Sequence, residues 1–261
     1  MIFQDFHCNT IMDEQELCKK RLLDLSRQAN RKDIVVFSDF LNLNEQNIFH
    51  SIRKSLDSGA ELFGGYDQAE RQMVAFIPDA LCYEWTFPIT CMKATPRYPK
   101  YAEELSHRDV LGALMHLGID RGKIGDIICQ DHSSYIFCDD AIHSFIMDNL
   151  TQVRHTMMQL VVVAEVHKLA VQPKLKEQME MIASNRIDAI IAKAYHLSRS
   201  QAAEYLASEK VFMNGRCITN CNQSCDNGAI ISVRGKGRFI FETDNTHSKK
   251  GKLRVRFLLY Q

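Results

Sequence analysis

Apolar positions recur at helical spacing near the start of the chain. Leu17, Leu22 and Leu25 mark a helix over residues 13–29. Ile48, Ile52 and Leu56 mark a second helix that opens at residues 43–46, with Asn44 as its candidate N-cap. Gly64-Gly65-Tyr66 reads as a turn and residues 72–77 as a short strand. The pattern then changes. A β-rich stretch over 85–92 is followed by a helix over 107–117, capped by Ser106 and closed by Gly118. Strands over 123–130 and 134–138 flank a tight Asp131-His132-Ser133 connection. A helix over 140–150 and a strand over 159–166 complete this region.

Beyond Pro173 the polar stretch 174–182 reads as helical, and residues 185–194 and 200–208 as two short helices. Strands follow over 211–213, 230–234, 238–242 and 253–259. Asn214-Gly215 and Asn227-Gly228 form turns among them, and residues 246–251 form a hairpin connection. The pattern predicts an α+β protein in three parts. These are an N-terminal α/β domain over 1–80, a β-α-β-β-α-β middle domain over 81–172 with ferredoxin-like (RRM-like) order, and a C-terminal domain over 183–261.

Composition alters this picture only where it is uneven. The chain has 261 residues, 46% hydrophobic and 25% charged, which suits a globular protein with a sizeable core. Its apolar runs, such as residues 160–164, are too short to span a bilayer. The first residues lack the basic and long apolar regions of a secretory signal, so a cytoplasmic address is expected. The zero net charge hides an asymmetry. Residues 1–183 hold 19 basic against 26 acidic residues, and residues 184–261 hold 13 against 6. A basic C-terminal third suggests an anionic partner such as nucleic acid, although a solvated charged face has the same composition. Nine cysteines without a secretory signal read as reduced thiols. Cys217, Cys221 and Cys225 fall four apart, without the Cys-x2-Cys pairing usual for zinc; His196 or His247 is the available fourth ligand. No metal site and no cofactor are assigned.

The basic third carries the chemistry. Ser198 or Ser200 can cap the second short helix and leave N–H groups exposed at its start, a ready anion site. Arg199 adds a planar fork for phosphate, with Gln201 beside it. Arg186 and Lys193 belong to the preceding helix, Asn214 to the turn, and Lys210, Arg216, Arg234, Lys236 and Arg238 flank the turns that follow. These residues are the candidate RNA-binding set, with phosphate contacts as their main work.

On these same residues the segment resembles an S4 domain, a small α-L module that binds structured RNA. The carriers are Arg186-Ile187-Asp188, Leu197-Ser198-Arg199-Ser200-Gln201-Ala202, Lys210-Val211-Phe212-Met213-Asn214-Gly215-Arg216, Gly228 and Ile231-Ser232-Val233-Arg234-Gly235. The family often has Gly where this chain has Glu209, and Asp where it has Ala229; both lie at turns. The whole chain resembles the YlmH family of three-domain bacterial S4 proteins. Residues 105–115, 117–121 and 123–127 carry that likeness, with Gly64-Gly65-Tyr66 and Ala69-Glu70-Arg71. The resemblance implies binding to the ribosome, specifically a large subunit blocked by peptidyl-tRNA, in quality control of stalled nascent chains, and an association with cell division. The expected partners are rRNA and tRNA, with a monomer expected and neither DNA nor membrane as partner.

Two enzyme-like signals and one base-stacking signal have simpler readings. His107-Arg108-Asp109 opens a helix and lacks the rest of a kinase signature. Arg186-Ile187-Asp188 looks like a pseudouridine-synthase motif, yet no synthase core surrounds it, and the same argument weakens a tyrosyl-tRNA synthetase reading. Tyr135 and Phe137 share one face of a strand and could stack bases, but without the RNA-recognition signature a core or protein contact is favoured. The chain is therefore expected to be no enzyme. The alternatives are an RNA-modifying enzyme targeted by its S4-like part, and a cell-division interaction protein.

Overall fold

The structure is a computed structural model. It describes residues 3–130, 132–164, 175–247 and 251–260, with side chains from residue 14 onward except at 244, 245 and 247. The class is mixed α+β, in two compact units, Met1–Val171 and Gln172–Gln261.

The first unit opens with α1 (Phe3–Lys32), β1 (Val36–Phe37), α2 (Leu43–Ile52), β2 (Gly59–Phe63) and β3 (Met73–Ile77), the strands pairing antiparallel in the order β1-β3-β2. The inward stripe of α1 is Leu22, Ser26 and Ala29, packed against Phe49, Ile52, Val74 and Phe76. Leu17, expected in that stripe, is 68% exposed; it falls off the stripe that Leu22, Ser26 and Ala29 define at helical spacing. Ser26 is buried because its Oγ accepts the N–H groups of Asp57 and Ser58 at 2.9 and 3.1 Å. The cap of α2 is Asn42, not Asn44. Asn42 accepts from the Asn44 and Glu45 N–H groups, and Glu45 answers by accepting from the Asn42 N–H.

The same unit continues through β4 (Ile89–Pro96), α3 (His107–His116), β5 (Ile124–Gln130), β6 (Ser133–Asp139), α4 (His143–Asn149), β7 (Gln152–Val153) and β8 (Thr156–Val162). The strands pair antiparallel in the order β5-β6-β4-β8-β7, the split βαβ arrangement with a two-residue strand added. Asp131 and residues 165 and 166, which belong to the expected connection and last strand, lie outside the described residues. Val110, Leu114 and Ile146 pack the helices on one sheet face. The opposite face carries Cys91, Ile128 and Phe137.

The opening part of this unit holds onto its sheet through Asp126. That carboxylate accepts from the Tyr66 hydroxyl at 2.7 Å and from the Glu70 and Arg71 N–H groups at 2.7 and 3.0 Å. The Arg71 guanidinium donates in turn to the carbonyls of Ile124, Phe40 and Arg121. Lys123 bridges Asp39 at 2.9 Å and Asp139 at 2.8 Å. Gly65 needs to be glycine twice over. Its φ is +97°, and a methyl there would sit 2.5 Å from the Phe137 ring.

The second unit runs β9 (Leu175–Ile182), α5 (Ile187–Ala194), α6 (Arg199–Ala207), β10 (Val211–Met213), β11 (Arg216–Cys217), β12 (Ile230–Val233), β13 (Gly237–His247) and β14 (Leu253–Tyr260). Its sheet order is β11-β10-β12-β13-β14-β9. Ile187, Ile190 and Ile191 of α5 and Leu206 of α6 bury against Phe239, Phe241 and Phe257, each such side chain contributing roughly 1.5–3 kcal/mol. Residues 175–182, expected to be helical, form β9 instead, in register with β14 from Leu175↔Tyr260 to Ile182↔Leu253. The lysines, glutamates and methionines of this stretch favour helix locally, and pairing along the edge of β14 overrides that preference. Residue 174 and residues 248–250 of the expected hairpin connection lie outside the described residues.

Among the described residues no helix is long and apolar enough to cross a membrane. Likewise, no three or more His, Cys, Asp or Glu side chains among them group as a metal site. Cys225 belongs to the core, where burial pushes its thiol up to about 12, and Cys221 packs against that core.

Candidate nucleic-acid interface

The loop between α5 and α6 builds the centre of the site. Ser198 is the N-cap of α6. Its Oγ accepts the Gln201 N–H at 3.2 Å, while the Gln201 carbonyl oxygen takes the Ser198 N–H at 2.9 Å. Gln201 is therefore a capping residue. Ser200 lies beside the cap, its Oγ 2.9 Å from that of Ser198. The box leaves the N–H groups of Arg199 and Ser200 at the opening turn, where the helix dipole favours an anion.

Asp188 organises the arginines. It is buried near the start of α5, and its carboxylate takes Arg186 through both oxygens, at 3.2 and 2.9 Å, and Arg199 at 3.1 Å. The two arginine side chains remain 40% and 52% exposed. Each guanidinium has five N–H donors in a rigid fork, so the two bonds from Arg186 fix its plane, the single bond from Arg199 anchors one end of its fork, and both keep further donors for a ligand. Lys193, on the last turn of α5, sits 3.7 Å from Glu180 of β9.

A second group of cations lies at the strand ends. The Arg234 N–H donates to the Lys210 carbonyl at 2.9 Å, which makes these two residues neighbours. Aromatic rings seat their side chains: Lys210 lies over Tyr205 at 5.9 Å, Arg234 over Phe212 at 5.3 Å and Arg238 over Tyr260 at 4.7 Å. Lys236 occupies the exposed turn between β12 and β13, its N–H bound to the Val233 carbonyl. Arg216 is exposed beside the β10–β11 turn. Asn214 has a mainly structural place. It adopts φ +50° in that turn, and its side-chain oxygen accepts the Ile230 N–H at 2.9 Å.

Of the twelve candidate residues, Arg186, Ser198, Arg199, Ser200 and Gln201 thus gather around Asp188 and the start of α6, Lys210 and Arg234 are neighbours at the strand ends, and Lys193 pairs with Glu180. Sequence reasoning passed over Asp188 as a shared acceptor. It also missed the aromatic seats of Tyr205, Phe212 and Tyr260. The Arg186-Ile187-Asp188 spacing was a signal for the first. Tyr260 is 22 residues from Arg238 in sequence and gave none.

The middle sheet offers less than its strand pattern suggested. Phe137 is fully buried, and its ring lies 5.0 Å from that of Tyr66. Tyr135 is half-buried, with the Lys93 ammonium 5.6 Å from its ring. The pair does not present two open rings for base stacking. Ser106, Asp109 and Arg154 likewise account for the His107-Arg108-Asp109 segment: Asp109 completes the Ser106 capping box and lies 3.8 Å from Arg154.

Comparison with known proteins bears on both units. Residues 14–81 match the family described as "YlmH, N-terminal", and residues 86–167 match "Putative RNA-binding domain in YlmH". The protein named "Ribosome-associated protein quality control protein P2" of Bacillus subtilis (strain 168) is 27% identical over 238 residues, covering 90% of this chain and 91% of its own. A solved structure titled "Cell division protein ylmH from Streptococcus pneumoniae" aligns with TM-score 0.49 and 18% identity, over 60% of this chain and 94% of its own. The two family matches lie side by side from residue 14 to residue 167, more than half of the 261 residues, and the chain belongs to the YlmH family.

Proposed function

We propose that this protein is a non-enzymatic RNA-binding protein of the ribosome. Its C-terminal unit works as an S4-type module on structured rRNA and tRNA. Its working place is the large subunit carrying peptidyl-tRNA, in quality control of stalled nascent chains, and its address is cytoplasmic. The observation that carries the reading is the Asp188 clamp: two part-exposed arginines on one buried carboxylate, Arg186 gripped through two bonds and Arg199 through one, beside the open first turn of α6. Such a pair is built to position phosphates. The α5–α6 pair followed by β10, β12 and β13 supports the S4 reading, and the Bacillus subtilis relative's printed name supports the ribosome. Among the half-buried carboxylates of the first unit, Asp126 is taken up by three hydrogen-bond donors, and Asp39 and Asp139 are paired with Lys123, which argues against a nucleophile at these three.

The test is binding of purified large ribosomal subunits over a salt series. Affinity falls as salt rises, because phosphate contacts release counterions. The double variant Arg199→Ala with Lys210→Ala is expected to bind about 10–100-fold more weakly and to flatten the log–log salt slope by about two. Wild-type affinity and slope in that variant would overturn the assigned face.

A further inference from the structure

Between β9 and the α5–α6 turn, within the second unit, lies a groove of about 420 Å³. That is in the range of small-ligand sites, roughly 300–1,000 Å³. Ala189 and Ala192 on one face of α5, with Ile182 of β9, make its floor; small side chains there leave the space open. Met181, 41% exposed, and Leu197 form walls. The rim is cationic: Lys193, Arg199 and Lys252 line it, while the carboxylates that pair with the first two, Glu180 and Asp188, do not.

The occupant has to be apolar and flat enough for the floor and anionic enough for the rim. We infer that the groove takes a single unpaired nucleotide of the bound RNA, its base on the Ala189–Ala192 floor against Met181 and its phosphate on Arg199 and Lys252. A thioether is a favourable neighbour for an aromatic ring. Arg199 belongs to both sites, since one of its five donors is committed to Asp188 and the fork can reach a phosphate with others. A paired base cannot enter, because it is stacked within a helix; a bulged or looped base can. The inference rests on the RNA-binding reading above and adds to it a preference for RNA with an extruded base.

The experiment uses the full chain and two RNA hairpins, identical except that one carries a single bulged 2-aminopurine. The wild type is expected to bind the bulged hairpin about tenfold more tightly, with a change in 2-aminopurine emission. Ala192→Leu fills the floor and should abolish the preference while leaving the unbulged hairpin bound as before. Ala192 is buried, so Met181→Glu provides a second variant at an exposed wall; it should weaken the bulged hairpin selectively. Equal wild-type binding of both hairpins would overturn the groove assignment and leave the RNA-binding reading intact. A preference that survives both substitutions would also overturn it and leave the groove to a partner other than nucleic acid. Failure to bind either hairpin would sink the RNA-binding reading, and this inference with it.

Discussion

Asp126 in the first unit and Asp188 in the second are both aspartates among arginines, but the arginines face different ways. Around Asp126 everything turns inward. The carboxylate takes the Tyr66 hydroxyl and two backbone N–H groups, and the Arg71 guanidinium donates to three carbonyls. Burial and the neighbouring Arg71 charge bring Arg121 down to about 10. Around Asp188 only the carboxylate is buried, and its two arginines stay in solvent. The first arrangement satisfies polar groups that folding has buried. The second holds charge outside at fixed angles and is available to a ligand. The residues that carried the family likeness in the first unit, Gly64-Gly65-Tyr66, Ala69-Glu70-Arg71 and the stretch through Asp126, are therefore largely a joint between the opening part of the unit and its middle sheet.

The largest effect expected from this contrast is on stability. Asp126→Ala leaves the Tyr66 hydroxyl and two N–H groups without their acceptor, and should cost about 3 kcal/mol or more. Thermal denaturation measures it. RNA affinity, read below the unfolding transition, should stay within about twofold of wild type. The variant of Arg199 and Lys210 described above should do the reverse, with stability changed by less than about 1 kcal/mol and RNA binding weakened about 10–100-fold. If Asp126→Ala cost RNA affinity as the double variant does, the division of labour between the two aspartates would be wrong.

A smaller effect follows from Asp39, which also ties the opening part of the first unit to the sheet. Burial pushes its carboxyl up, but hydrogen bonds from Lys123 and Arg21, with their charges, outweigh that and hold it below the ordinary carboxylate range. A carboxyl depressed in the folded state stabilises the protein above its unfolded pKa, about 4, and that stability is lost as pH falls through the folded value. Asp39→Asn should lower stability at neutral pH by about 1 kcal/mol and make the decline below about pH 4 shallower than in wild type. Denaturant melts at pH 7 and pH 3 check both; parallel acid profiles would remove Asp39 from the account.

These elements also show where sequence reasoning works. Ser106 and the choice between Ser198 and Ser200 were readable as candidate caps because capping is local, whereas only the structure shows Gln201, read as an RNA contact, completing the Ser198 box. The β-α-β-β-α-β order was readable because hydrophobic period and turn residues change together. β9 was not, because its strand character comes from pairing with β14, from Ile182↔Leu253 to Leu175↔Tyr260, far along the chain, rather than from its own composition. The cap of α2 was misplaced by two residues because Asn42 and Asn44 both satisfy the local rule and only the geometry separates them. At the interface the cations were legible as charge, while the fold alone shows which of them share Asp188 or sit on a ring.

The smallest effect concerns Glu209, one of the two positions where the chain departs from the S4 pattern it resembles. Glu209 follows the end of α6 with φ +55°, a left-handed conformation that costs a residue with a Cβ about 1–2 kcal/mol. That is the physical reason a glycine suits this turn. Glycine also has more freedom to lose on folding, about 0.5–1 kcal/mol. The two nearly offset, so Glu209→Gly should raise stability by about 0.5 kcal/mol. The substitution also removes a carboxylate next to Lys210, one of the proposed phosphate-binding groups. RNA affinity should therefore rise about twofold at low ionic strength, and the gain should fade as added salt screens the charge. Thermal melts and a two-point salt comparison read both effects. A gain in affinity without a gain in stability would mean that the turn tolerates Glu209 and that its charge alone matters. A loss of both would show that Glu209 helps build the interface and that its departure from glycine is functional.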